Sequence, residues 1–328
     1  MARLEVKRQM GQGDIAAVSE LLEVATSEDG HSPLGEHRWL DLVHGGRHGF
    51  AGLVAWEPGH GHPVGYAQLT REPLAGPVAS ATGPTWALEF VVDPHHRSRD
   101  PDIGHTLLAA ALGVVREEGG GHVHLWLHHP TAATDELAGA VGLARGRELL
   151  QMRRHLPTGI SSDLPVRPFV AGQDEAAWLE VNNRAFRWHP EQGGWDRETL
   201  QARQGQPWFD ASGLLLHERD GKLAGFCWTK EHRDADPALG EIYVVAVDPA
   251  FQRLGLGRSL VLAGLELLAQ RGLVAGMLYV DAANVGAVRL YEQLGFTVDH
   301  VDRAYVGDFA PAGRDGRRPS GQGPDPDD

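Results

Sequence analysis

The sequence predicts an α/β protein of two tandem domains, each a mixed central sheet flanked by helices. Three observations predict it. A run of β-branched and apolar residues, Glu241-Ile-Tyr-Val-Val-Ala-Val, stops at Asp248-Pro249; a glycine turn and an apolar helical stretch, Leu260 to Leu268, follow. A second segment, Asn284-Val-Gly-Ala-Val-Arg-Leu-Tyr291-Glu-Gln-Leu-Gly295-Phe296, reads as a helix with an Asn N-cap, closed by a glycine before the final strand. Both segments have weaker doubles in the first half of the chain, the mark of an internal repeat.

The doubles fall in order. Trp86-Ala-Leu-Glu-Phe-Val-Val-Asp93-Pro94 parallels Glu241 to Pro249, and Ile103-Gly104 opens an apolar helix as Leu256-Gly257 does. His122-Val-His-Leu-Trp-Leu parallels Gly276-Met-Leu-Tyr-Val, and Ala140-Val-Gly142-Leu143 parallels Gln293-Leu-Gly295-Phe296. The offset is 155 residues before the loop and 153 after it, because the first copy carries two extra residues in its turn.

Each copy is expected to run strand, one or two helices, three-stranded meander, glycine-turn helix, strand, helix, final strand. In the second copy the pattern places elements at 166–170, 174–186, 213–218, 223–230, 241–247, 256–271, 275–280, 285–293 and 297–306. The Pro/Gly/Ser stretch 157–165 suits a linker. The expected domains are therefore 1–156 and 166–307. Residues 308–328 are Gly, Pro, Asp and Arg with almost no apolar side chains. Such a segment cannot offset its ordering entropy by burial and is expected to be a disordered tail.

Composition narrows the function classes. The chain has 328 residues and a formal charge of −14, which argues against a nucleic-acid binder. One cysteine, Cys227, excludes intrachain disulfides and fits a reducing cytosol; its place in the strand from Ala224 to Thr229 suggests a small buried apolar group. The N-terminus has no apolar signal core, and no stretch approaches ~20 apolar residues. A soluble cytoplasmic protein without membrane or nucleic-acid partners, and a monomer, is expected. Eighteen histidines raise the question of a metal, with His122/His124 and His128-His129 the candidates. No carboxylate or cysteine completes a ligand set at the usual spacing, so no metal is expected.

Strand, glycine turn and helix N-terminus together bind phosphate: the helix offers unpaired N–H groups and its positive dipole end, and glycines let backbone approach. The spacing is neither G-x-x-x-x-G-K-[ST] nor G-x-G-x-x-G. Gln252, Gly255 and Gly257 instead stand as Q-x-x-G-x-G, which resembles the pyrophosphate loop of the GNAT acetyltransferases. The segment from Asn284 to Phe296 resembles that superfamily's N-x-x-A-x-x-x-Y-x-x-x-G-F.

That resemblance implies acetyl-CoA as co-substrate. Acetyl transfer from a thioester needs a neutral amine, a stabilised oxyanion and a proton for the departing thiolate. Glu241, heading the strand beside the cofactor, is the candidate base, and Tyr291 the candidate acid. Both also fit plainer roles, Glu241 as a solvated strand end and Tyr291 as a core aromatic. The repeat offset sets Trp86 at the Glu241 position and Ala138 at the Tyr291 position. The first copy thus lacks both proton carriers. Its loop, His95-His-Arg-Ser-Arg-Asp-Pro-Asp-Ile-Gly104, has one glycine for two and adds Asp100 and Asp102, which disfavour a pyrophosphate.

A working C-terminal copy behind a degenerate N-terminal one resembles the actinobacterial mycothiol synthases, over about residues 4 to 307. Supporting stretches are Pro33-Leu-Gly-Glu36-His, His189-Pro-Glu191-Gln-Gly, Gly225-Phe-Cys-Trp-Thr-Lys230, Gly240-Glu241-Ile-Tyr and Leu278-Tyr279-Val280. The resemblance implies N-acetylation of the cysteinyl amine of cysteinyl-glucosaminyl-inositol. It implies substrate contacts at Glu36, Glu191, Lys230, Glu241 and Tyr279. Acetyl-CoA contacts are implied at Val245, Ala246 and Val247, at Gln252, Arg253, Leu254, Gly255, Leu256, Gly257 and Arg258, and at Asn284, Val285, Gly286, Ala287, Val288 and Arg289. The altered first loop makes the corresponding Phe90, Val91, Val92, Ile103, Gly104 and His105 the weakest of these assignments. Another amine acceptor, such as an aminoglycoside or a protein N-terminus, and a CoA-binding sensor without turnover remain as alternatives.

Overall fold

The computed structural model describes residues 2–46, 49–59, 61–71, 83–187, 192–233 and 235–312, without the side chains of Glu36 and His37. These residues form two compact units. One takes the described residues up to His124 together with those from Gly307 on; the other takes Leu125–Val306. Glu191 and residues 313–328 lie outside the described residues.

The first unit runs β1 (Arg3–Lys7), α1 (Gln12–Asp29), α2 (Glu36–Val43), β2 (Phe50–Trp56), β3 (Pro63–Arg71), β4 (Thr85–Val92), α3 (Asp102–Glu117) and the start of β5 (Gly121–His128). Strands β1 to β4 pair antiparallel in sequence order. Helix α1 lays Val18, Leu21, Leu22 and Ala25 on Phe50, Val54 and Tyr66, and α3 buries Leu107, Leu108, Leu112 and Val115. That is the i, i+3, i+4 spacing of helices packed on a sheet.

The second unit runs α4 (Ala132–Ala140), β6 (Ala144–His155), β7 (Arg167–Pro168), α5 (Glu175–Ala185), α6 (Arg197–Gln204), β8 (Leu214–Arg219), β9 (Lys222–His232), β10 (Leu239–Val247), α7 (Leu256–Gln270), β11 (Ala275–Asp281), α8 (Val285–Gln293) and β12 (Thr297–Phe309). The strand order is β12-β6-β11-β10-β9-β8-β7. Its pairs are antiparallel except β10–β11, so the sheet is mixed. Strand β6 precedes the Pro/Gly/Ser stretch in sequence, yet it pairs with both β11 and β12. Strand β12 continues past Val306 to Phe309, whose buried ring lies 4.8 Å from the Arg116 guanidinium. The first strand of the second copy is shorter than its sequence pattern. Helix α6, absent from that pattern, starts where Asp196 caps the N–H of Thr199 at 2.8 Å.

Alternation divides the sheet of the second unit into two cores. On one face Phe226, Trp228, Val244 and Ala246 meet Trp178, Trp195 and Leu200 from the α5–α6 region. On the other, Cys227 and Ile242 meet α7 (Leu260, Val261, Leu265, Leu268) and Tyr291 of α8. Helix α7 approaches closely because two of the crossing residues lack a Cβ. A Cβ on Gly264 would stand 2.6 Å from Cys227 Sγ, and one on Gly225 would stand 2.9 Å from Leu260 Cδ1 of α7. Cys227 is fully buried, and burial pushes its thiol up to about 12.

Candidate active site

Strand β10 pairs with β9 as far as Val247, but with β11 only at Leu239–Ala275, Gly240–Gly276 and Glu241–Met277. Strand β11 meanwhile pairs with β6 as far as Asp281. The two parallel strands therefore part after Glu241. Among the described residues, the β10 edge at Val245, Ala246 and Val247 has no strand partner on the β11 side. A bulge between Ile242 and Val244 breaks the β9–β10 register at the same level, and it turns Tyr243 and Val244 to one face.

Beyond β10 the chain makes the turn that the glycines foretell. Asp248, buried, accepts the Ala250 N–H at 2.9 Å and the Arg184 guanidinium of α5. Arg253 and Gly255 take the left-handed φ values of 66° and 76°. Gly255 is the N-cap of α7 and offers no side-chain cap. The first N–H groups of the helix, at Leu256, Gly257 and Arg258, are left without a side-chain acceptor, the condition for anion binding. Residues Gln252 to Gly255 are exposed, as are Asn284, Val285, Gly286 and Arg289, while Ala287 and Val288 are half-buried against the core. Asn284 Oδ1 caps the Ala287 N–H at 3.2 Å, and Gly295 turns the chain out of α8 with φ 82°.

Glu241 is buried on the α5–α6 face of the sheet. Its Oε2 lies 2.7 Å from Nε2 of His232. Lys230 stands directly opposite Glu241 in the β9–β10 register, with its ammonium 4.7 Å from the Trp208 ring centroid and 5.9 Å from that of Tyr243. Tyr279, on β11, is 41 % exposed, and its hydroxyl accepts from Gln151 Nε2 at 2.7 Å. Burial raises its phenol above the ordinary value, the Gln151 bond lowers it, and the Asp302 and Glu241 charges raise it further. Tyr291 packs in the opposite core with its ring 5.9 Å from Phe296, and burial pushes its phenol up to about 12. Glu36 is the first residue of α2, with its side chain outside the described residues; Glu191 lies outside them altogether.

A sequence model of the acetyltransferase (GNAT) family matches residues 177–296. Among relatives, the mycothiol acetyltransferase of Thermomonospora curvata is 46 % identical over 297 residues, 89 % of this chain and 93 % of that protein. The mycothiol acetyltransferase of Thermobispora bispora is 45 % identical over 311 residues, 92 % of this chain and 98 % of that protein. The chain belongs to the mycothiol acetyltransferase family. Solved structures share the GNAT fold. A GCN5-related N-acetyltransferase from Sphaerobacter thermophilus superposes with a TM-score of 0.69 at 20 % identity, covering 94 % of this chain and 96 % of that one. A tandem GNAT protein from the clavulanic acid biosynthesis pathway gives 0.68 at 17 %, covering 95 % and 100 %.

The first unit of this mycothiol acetyltransferase family member carries a different loop. Arg97, at the position of Gln252, forks onto both oxygens of Asp29 at 2.7 and 2.6 Å, and its Nε donates to the Val92 carbonyl at 3.0 Å. The strand end at Phe90, Val91 and Val92 is thus bound to its own loop. Ile103 and Gly104 are buried in the first turn of α3, and His105 is exposed.

Two residues at the site escape sequence reasoning. His232 could have been found, since it follows Lys230 by two and shares its strand face. Gln151 left no signal, because its place depends on β6 pairing with β11 in the register Gln151–Tyr279. His128, His300 and Asp302 present ligand atoms within 4.8 Å of one another, a set that spacing could not reveal because its members lie on β5 and β12. Contacts of 2.8 Å from His128 Nδ1 and 3.5 Å from His300 Nε2 to Asp302 Oδ1 account for that arrangement as a hydrogen-bonded network.

Proposed function

We propose that this protein transfers the acetyl group of acetyl-CoA to the cysteinyl amine of cysteinyl-glucosaminyl-inositol, completing mycothiol. The observation that carries the reading is the parting of β10 and β11 after Glu241, with the uncapped N-terminus of α7 at the end of β10. An unpaired strand edge suits the amides of a pantetheine arm, and free helix N–H groups suit a pyrophosphate. Residues Val245 to Val247, Gln252 to Arg258 and Asn284 to Arg289 would hold the co-substrate. The names of the relatives support the acceptor.

The gap between the strands supports a division of labour between the two sheet faces. Glu241 on one face takes a proton from the acceptor ammonium. The freed amine attacks the thioester carbonyl, the C–N bond forms and the C–S bond breaks, and Tyr291 from the other face gives its proton to the departing sulfur. The Tyr291 phenol, raised to about 12, is protonated at physiological pH and serves as a donor. Lys230, Tyr279 and Glu241 offer polar groups to a hydroxyl-rich acceptor, and the family resemblance adds Glu36 and Glu191 as acceptor contacts. The chain as a whole is read as two GNAT copies, the first retained without the proton carriers and with its loop tied to Asp29.

The direct test is CoA release from acetyl-CoA in the presence of cysteinyl-glucosaminyl-inositol. Turnover well above glucosamine and free-cysteine controls is expected; rates at the level of those controls would sink the acceptor assignment. Glu241→Ala should lower the rate and move the pH optimum to alkaline values, where the amine deprotonates without help. An unchanged profile removes Glu241 as base.

A further inference from the structure

An acceptor amine that arrives as an ammonium and leaves as an amide sheds two protons. The thiolate sulfur takes the equivalent of one. The other has to reach bulk water in every turnover, or the base is spent after one cycle. Glu241 has little access of its own, since its side chain is only 10 % exposed. Its Oε2 is 2.7 Å from Nε2 of His232, whose side chain is 26 % exposed. The imidazole bridges the buried carboxylate and solvent.

We propose that His232 is the proton exit of the site, a positioning residue acting through Glu241. The inference rests on the acetyl-transfer reading given above. In the ready state Nε2–H of the neutral imidazole donates to the Glu241 carboxylate. Once Glu241 holds the amine's proton, exchange with water moves the imidazole proton to Nδ1; Nε2 then accepts the carboxyl proton, Nδ1 yields its own to water, and the starting tautomer and carboxylate return. No bond other than N–H and O–H is made or broken, and no co-reactant is needed. The same contact holds Glu241 Oε2 and so restrains the rotamer of the base.

Lys230 stands opposite Glu241 on β9, and Tyr279 on β11 senses the Glu241 charge. Glu231 and Arg233 flank His232 in sequence, and Glu231 is occupied by Arg233 at 2.6 Å and Arg271 at 2.8 Å. None of these offers Glu241 a second neutral proton acceptor. Lys230 is a cation without a lone pair when charged, and the Tyr279 hydroxyl is engaged by Gln151.

Two substitutions in the full-length enzyme separate relay from scaffold. His232→Gln keeps an amide donor for Glu241 and cannot carry a proton; His232→Ala leaves space for a small base. Acetyl-CoA affinity, read by calorimetry, is expected to stay at the wild-type level in both. The kcat is expected to fall at least about tenfold near neutral pH, a modest share of what positioned proton transfer contributes. Added imidazole should restore rate to His232→Ala and not to His232→Gln. The pH–rate profile should also change. Wild-type kcat and an unchanged pH profile in His232→Gln would overturn the relay, and that variant decides alone if His232→Ala loses its fold. The wild-type rate keeps the two readings apart, because turnover of the acceptor by the unmodified enzyme fulfils the functional reading whatever the His232 variants do.

Discussion

On the proposed mechanism Tyr291 meets the thioester as a neutral phenol, and its burial in the core of α7, α8 and the sheet keeps it so. Burial raises its phenol from 10.0 to about 12, so ionisation of Tyr291 contributes no alkaline limb to kcat below about pH 10. A phenol whose value is raised by folding adds stability that is complete below its unfolded value and is lost as pH rises through the folded one. Tyr291→Phe should therefore lower kcat by about 10²-fold with acetyl-CoA affinity retained, read by steady-state kinetics and calorimetry. The same variant should lose less stability than the wild type in urea melts between pH 10 and about 12. The places of Glu241 on β10 and Tyr291 on α8 were legible in the sequence because two motifs at fixed separation set their context. Gln151 was not, since it meets Tyr279 only through a pairing of strands 128 residues apart. Gln151→Leu should raise the KM for the acceptor several-fold and leave that for acetyl-CoA unchanged; equal KM values would return Gln151 to a purely packing role.

At the scale of the element, α7 serves two ends with one stretch of sequence. Its first turn leaves N–H groups open, and its body packs on β9 and β10 through residues that leave no room for growth. Gly264→Val would drive a side chain into Cys227 and Ile242, whose nearest atoms stand 2.6 and 2.8 Å from a Cβ at that site. A loss of about 1–3 kcal/mol is expected from such overpacking, visible as a lower Tm. Gly255→Ala acts at the other end: φ 76° is a left-handed value that a Cβ opposes by about 1–2 kcal/mol, and acetyl-CoA affinity should drop while the core stays intact. Helix α7 and α8 were readable from apolar spacing, Asn capping and glycine stops. The parting of β10 from β11 was not, because alternation along a strand says which residues face a core and nothing about where an edge loses its neighbour. Helix α6 was missed for a related reason: Arg197–Gln204 is polar on most of its surface and buries only Leu200.

Across the whole molecule, the repeat read from the sequence sets Trp86 and Ala138 at the positions of Glu241 and Tyr291, the proton carriers of the proposed mechanism. The side chains that close the first loop, Arg97 and Asp29, lie 68 residues apart and could not be paired by reading. With Val92 and Arg97 joined, acetyl-CoA should bind with a stoichiometry of one per chain in calorimetry; two equivalent sites would show that the first loop opens. No helix among the described residues is long and apolar enough to cross a membrane. The place of β6 reaches further. A chain begun at residue 157 would lack the strand that pairs with β11 and β12, leaving two rows of backbone donors and acceptors facing each other across an empty lane. Such a chain is expected to be insoluble or unfolded by circular dichroism. On the two-copy reading proposed above, the first copy cannot be cut away whole: the strand that ends it fills the lane between β11 and β12, so removing the idle half would open the working one.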